Sequence, residues 1–245
     1  MESLVLFPRN RAVRLAIFAV PFVLIAVGLY VKVALGQTYD RMIQEDAVFE
    51  NLTCVIYFTA FLFAVSISVG FFRRGSALLG SLYVILSLCF IFIFLEEISW
   101  GQRIFNINTP EFFRKHNFQG ELTFHNVRVM RPVLHGIYIV VGLVASLAWI
   151  VVPRRERGRS DRHLEYFVPD WFLSSYFFAV IFIYTYYEFA QRVAVKYLGW
   201  ESLRIGTFFV WRDQEPAELL LALGFLLFVV INKYRQIRHP AFGVG

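Results

Sequence analysis

Glu96 and Glu97 stand side by side at the end of an apolar run, residues 77–95, and Ser99, Gln102 and Arg103 follow directly. Ionisable groups at membrane depth are costly and commonly mark a site that faces protein or water. A helix C-terminus is also the end where the dipole opposes negative charge. Neighbouring carboxylates repel each other as well. Something must compensate: Arg103, another base, a shared proton or a metal. Adjacent helical residues lie about 100° apart, so the two acids face one centre unequally. Glu97 is the expected inward residue, because Gly101, one turn later on its face, would open space beside it.

Further acids fall at comparable positions. Glu50 follows Glu45 and Asp46 at the start of one apolar run, Glu188 closes another, and Glu215 and Glu218 open the last. Three of these have a simple explanation, since acids at a helix start complement the positive end of the dipole. Glu188 and Arg192, four apart, read equally well as a helix-end salt bridge worth a few tenths of a kcal/mol. The functional reading makes Glu96, Glu97, His125 and Glu188 candidate catalytic residues. Gln102, Arg103, Glu50, Gln191, Arg192 and Glu218 are then candidates for holding a substrate. Glutamate with histidine is also a zinc or iron ligand set, which names Glu97, His125 and Glu218 as candidate ligands of a divalent metal. Neither HExxH nor HxxxH spacing accompanies them, so the cofactor stays undetermined.

The elements that must position these groups follow from composition. The chain has 245 residues, 58% hydrophobic and 17% charged, with 28 Phe. That is a membrane composition. Spanning the hydrocarbon takes about 20 apolar residues per helix. Six segments come near that length: 13–35, 52–72, 77–95, 133–152, 171–187 and 216–231. The expected fold is all-α, one integral membrane domain over 1–245, a bundle of six transmembrane helices. The first segment is longer than a signal-peptide core and is read as a retained helix. Cys54 and Cys89 fall inside expected helices, with no disulfide framework.

Basic residues set the orientation. Arg9, Arg11 and Arg14 precede the first segment, and Arg73 and Arg74 sit in the second loop. Arg154, Arg155, Arg157, Arg159 and Arg162 crowd the fourth loop, and Lys233, Arg235 and Arg238 follow the sixth segment. The positive-inside rule then places both termini in the cytoplasm and all the candidate acids on the outer face. The net charge of +6 reflects orientation and anionic lipid, not nucleic acid. The expected partners are therefore membrane lipids.

The outer loop, 101–131, is about 30 residues, long enough to suggest a function. Thr109-Pro110-Glu111 predicts a short helix with Thr109 as its cap. Phe105, Phe112, Phe113, Phe118 and Phe124 predict that this loop lies on the membrane interface. Tyr176, Tyr184, Tyr186 and Tyr187 read as an interface belt and packing. Outward segments end alike, in Gly36-Gln37, Gly101-Gln102-Arg103 and Ala190-Gln191-Arg192, which suggests three related hairpins.

The string EEISWGQRIF, with TPEFF and then HN after it, resembles a family of bacterial polytopic inner-membrane proteins of uncharacterised function. The likeness extends to the acidic start of the second segment and to residues 215–226. It implies a bacterial inner membrane and supplies no catalytic residue. The leading expectation is an enzyme acting at the outer leaflet on a lipid or lipid-linked substrate. The alternatives are a proton-coupled carrier and a structural subunit whose acids pair with partners.

Overall fold

The computed structural model describes residues 10–44, 47–102, 104–152, 164, 166–186, 196–197 and 211–238. In chain order its helices are α1 (Arg11–Ala34), α2 (Gly36–Met42), α3 (Val48–Phe72), α4 (Ala77–Glu97), α5 (Glu111–His116), α6 (Arg131–Val151), α7 (Ser174–Thr185) and α8 (Gln214–Arg238). Five of them, α1, α3, α4, α6 and α8, are long and apolar enough to cross a membrane. Their exposed side chains, such as Val33, Leu88 and Val151, are apolar. Hydrocarbon solvates such a surface, as lipid tails are as apolar as leucine. This is an all-α fold of the multipass membrane type.

Local chemistry sets the ends. Asn10 accepts from Ala12 N at 2.8 Å and so caps α1. Between α3 and α4, Ser76 N reaches Phe71 O and Gly75 N reaches Phe72 O, both at 3.0 Å, while Gly75 has φ +76°. That pair of bonds is a Schellman motif, which needs a left-handed residue best supplied by glycine. Ser68 Oγ donates to Gly80 O at 2.8 Å and clips the hairpin shut. α3 packs on α4 and on α8, α8 on α7, and α7 on α6 and α1.

The fifth expected span, 171–187, is helical over its described residues. A 3-10 turn, Trp171–Leu173, leads into α7, which ends at Thr185. Residue 187, where the span was expected to finish, lies outside the described residues. The last helix runs seven residues past its expected end, to Arg238. Its extension is polar because it is buried against protein. Arg235 was read as a headgroup-facing charge, yet its Nη2 donates to Asp170 Oδ2 at 2.6 Å with both side chains nearly shut off from solvent. Arg235 Nη1 also donates to Asn232 Oδ1 at 2.9 Å, and Asn232 Nδ2 donates to Tyr83 Oη at 2.7 Å. Tyr83 Oη in turn donates to Tyr166 O at 2.9 Å. Gln236 Nε2 donates to Ile67 O, and Arg74 Nη1 to Gln236 O, each at 2.8 Å. This network locks α8 to the α3–α4 hairpin and to the segment before α7.

At the other end of the bundle lie the start of α3, the end of α4, the starts of α6 and α8, and the end of α7. Lys32, in the last turn of α1, pairs with Asp213, and Tyr39 Oη of α2 donates to the same carboxylate at 2.8 Å. That brings the end of α1 to this side as well. α2 was not expected. It follows a break at Leu35, and Gly36 opens it, whereas Gly101 sits in a left-handed turn with φ +72°. The two look-alike endings among the described residues therefore fold differently.

Candidate functional site

α4 ends at Glu97, and the chain reverses through three left-handed residues, Ser99 (φ 49°), Trp100 (φ 54°) and Gly101 (φ 72°). Such a conformation is strained for serine and tryptophan, so their side chains must be held. Ser99 Oγ donates to Glu121 Oε2 at 2.6 Å, and Trp100 Nε1 donates to Glu96 Oε1 at 2.6 Å. Gly101 is required for its backbone and because the Phe105 ring lies 3.0 Å from where a Cβ would stand. The expected reason, space beside Glu97, is not the operative one.

Glu96 is a structural anchor. It is 4% exposed, and its second oxygen accepts from Phe124 N at 2.7 Å and His125 N at 2.9 Å. His125 Nδ1 approaches the same oxygen at 3.2 Å. Asn126 Nδ2 reaches His125 Nε2 at 3.0 Å. A neutral imidazole protonated on Nδ1 satisfies both contacts. So Glu96 compensates for its place at a helix C-terminus by binding N–H groups of a loop nearly thirty residues on, and His125 is committed to the same joint.

The loop is folded around that joint. Asn117 and Val127 form an isolated bridge, with Phe118 N to Asn126 O at 3.0 Å. Asn117 Nδ2 donates to Thr123 O and to Thr123 Oγ1, both at 2.8 Å. Gln102 Nε2 donates to Thr109 Oγ1 at 2.5 Å, and Leu122 N donates to Gln102 Oε1 at 2.7 Å. Gln102, expected to hold a substrate, staples the loop instead. Thr109 is drawn to it, so Pro110 rather than Thr109 occupies the cap position of α5. Ile104, Phe105, Phe112 and Phe118 are exposed on this loop, as an interfacial segment requires.

Below the loop is a cavity of about 280 Å³. Glu50 of α3, Glu97 of α4, and Glu215 and Glu218 of α8 line it together. Glu96, Glu121 and His125 form part of its wall, and Arg131, Arg212 and Gln214 also reach it. Five of the candidate site residues read from the sequence, Glu50, Glu96, Glu97, His125 and Glu218, thus line one cavity. Glu188, Arg103, Gln191 and Arg192 lie outside the described residues.

Charge is concentrated here. Among the described residues, six carboxylates and two guanidinium groups line the cavity. Glu97 is within Coulombic range of Glu218, Glu215, Glu50 and Glu96. Among the described residues its carboxylate forms no hydrogen bond. Glu218 accepts from Tyr184 Oη and lies within Coulombic range of Arg131, with the His125 ring nearby. Tyr184 stacks on Tyr138 at 4.9 Å and meets His135 at 4.7 Å. Tyr57 and Tyr138 also lie within range of Glu97 and Glu218.

Tyr184 is therefore a hydrogen-bond donor to a cavity acid rather than part of an interface belt. Tyr57, Tyr138, Arg131, Arg212 and Gln214 were not foreseen as site residues. One signal was available: Glu50, Thr53 and Tyr57 recur at i, i+3 and i+7, a polar stripe on an apolar helix. Among the described residues no group of three or more His, Cys, Asp or Glu is arranged to hold a metal ion. The expected ligands Glu97, His125 and Glu218 share the cavity without forming such a group. Compared with known proteins, the chain matches no family model, no curated protein and no solved structure, so the chemistry of the site is read from its own geometry.

Proposed function

We propose that this chain is a bacterial inner-membrane enzyme that acts at the outer leaflet on a lipid or lipid-linked substrate. It crosses the membrane six times with both termini in the cytoplasm. The observation that carries the reading is the convergence of Glu50, Glu97 and Glu218, from three different helices, on one cavity beneath an apolar loop. Glu97 is the general base, being the carboxylate whose oxygens are not engaged by a described partner. Arg131 and Arg212 bind the anionic part of a headgroup, where charge-assisted hydrogen bonds are strongest.

The orientation is supported by Arg11 and Arg14 at the start of α1 and by Arg73 and Arg74 between α3 and α4. Both pairs lie at the end of the bundle opposite the cavity, as the positive-inside rule asks of a cytoplasmic face. A carrier is less well supported. Carrier sites lie near the bilayer midplane, whereas this cavity is at the helix ends and the buried Asp170–Arg235 network fills the far side. The bacterial assignment, and membership of the family carrying EEISWGQRIF, TPEFF and HN, rest on that resemblance. Glu96 through Gly101 of the motif form the joint that walls the cavity.

Two measurements test the proposal. Cysteines introduced as His116→Cys and Arg73→Cys should be labelled from opposite sides of the membrane by an impermeant reagent. The lipids of a deletion strain should show an accumulated species that wild type removes and Glu97→Gln does not. Labelling from one side, or an unchanged lipid profile on deletion, would overturn it.

A further inference from the structure

Cations and aromatic rings collect on the outer side of the loop's short bridge. Asn117 and Val127 pair across that bridge and are both buried. Side chains alternate along paired segments, which turns His116, Phe118 and Arg128 to the opposite side, where all three are exposed. The start of α6 then brings Arg131 to the same ring. The guanidinium carbons of Arg131 and Arg128 lie 4.7 and 5.2 Å from the centre of Phe118. Stacking of this kind orients a guanidinium group and leaves its N–H donors unspent. Two cations on one ring also repel each other. Among the described residues no carboxylate forms an ion pair with Arg128. Phe118 and Arg131 line the cavity as well, so the cluster stands at its rim. Ile104, Phe105 and Phe112 of the same loop are each more than half exposed. A soluble anion would leave those side chains in water, whereas a phospholipid offers phosphate to the arginines and hydrocarbon to the apolar groups.

We propose that Arg128 and Arg131, held on the Phe118 ring, bind the phosphodiester of an anionic outer-leaflet phospholipid at the rim of the cavity. The inference rests on the reading that puts this loop at the outer leaflet, and it needs no reaction at Glu97. A guanidinium group meets phosphate oxygens with paired, charge-assisted hydrogen bonds. A phosphodiester has two non-bridging oxygens, one for each arginine. Arg131 also lies within Coulombic range of Glu218, so Arg128 carries the larger share. A choline headgroup sets a cation beside two others, and a glycerol headgroup does not. The lipid selected is therefore one with net negative charge.

The test titrates the purified full-length chain in detergent with phosphatidylglycerol and phosphatidylcholine of identical acyl chains, read by native mass spectrometry. Arginines at the other end of the bundle also attract anionic lipid, so the decisive comparison is between variants. Arg128→Gln should weaken phosphatidylglycerol binding about fivefold, the worth of one basic residue at an anionic lipid surface. It should leave phosphatidylcholine within about twofold of wild type. Arg128→Lys, which keeps the charge without the planar fork, should recover part of the loss. Arg114→Gln removes the same charge from an exposed position on the same loop, and it should leave both lipids within about twofold. Unchanged phosphatidylglycerol binding by Arg128→Gln overturns the inference. So does an equal loss in Arg114→Gln, which would mean that any charge on the loop serves. Parallel losses of both lipids would assign the contact to apolar packing and overturn it too. Displacement of the lipid by an equal concentration of glycerol phosphate would replace the lipid by a soluble anion, against the proposal. An unchanged lipid profile in the deletion strain would sink the enzyme reading and leave this site standing. Arg128→Gln binding both lipids as wild type does would do the reverse.

Discussion

At one end of the bundle Asp170 meets Arg235, Asn232 bridges Arg235 to Tyr83, and Gln236 finds a backbone carbonyl. At the other end Glu97 meets the charges of four further carboxylates. Both ends bury ionisable groups in an apolar bundle, but Asp170 and Arg235 are paired directly, whereas Glu97 forms no hydrogen bond among the described residues. A matched network fixes one arrangement of helices. An unmatched one is costly unless something else completes it, and so it marks where a ligand or a reaction enters. The contrast recurs within a single peptide bond, since Glu96 is saturated by N–H groups and Glu97 is not.

The largest effect should come from breaking the matched end. Arg235→Met takes the guanidinium away from the buried Asp170, and breaking a buried pair typically costs about 3–5 kcal/mol. Thermal unfolding in detergent should show the largest loss of any single change considered, and the double variant Asp170→Leu/Arg235→Met should recover part of it. Equal stability of Arg235→Met and wild type would mean that this end is not the lock.

Glu96→Gln comes next. It exchanges an acceptor of four N–H groups for an amide that also donates, and hydrogen bonds to a charged group are worth roughly 1.5–3 kcal/mol. Hydrogen exchange at Phe124 and His125 should quicken, and Tm should fall. Slow exchange at both amides in the variant would remove Glu96 from the anchoring role. A smaller loss, about 1–2 kcal/mol, is expected for Gly101→Ala, because the site has a left-handed backbone. Its Cβ would also press on the Phe105 ring.

Much of the helical framework is legible in the sequence, since the spans are set by unbroken apolar runs that no tertiary contact needs to rescue. The ends are less so. α8 continues to Arg238 because Asn232, Arg235 and Gln236 are buried by contacts with α3, α4 and the segment before α7, and hydropathy alone reads those residues as solvated. That acids gather at one end is legible from where they fall in each span. Their division of labour is not. Glu96 and Glu97 differ through the backbone N–H groups of Phe124 and His125, which no pattern of side chains announces. The bond from Tyr184 to Glu218 joins helices that the sequence separates by 34 positions. Gly101 is visible as a glycine, but its need for positive φ follows from a turn seen only in three dimensions.

Glu97→Gln, measured twice on the same variant, tests the contrast most directly. Its Tm in detergent should stay within about 0.5 kcal/mol of wild type in stability, as for a residue outside any matched network. Expressed in a deletion strain, the same variant should leave the accumulated lipid in place. A wild-type lipid profile, or a loss of stability as large as that of Glu96→Gln, would contradict the assignment of Glu97 to function and Glu96 to structure.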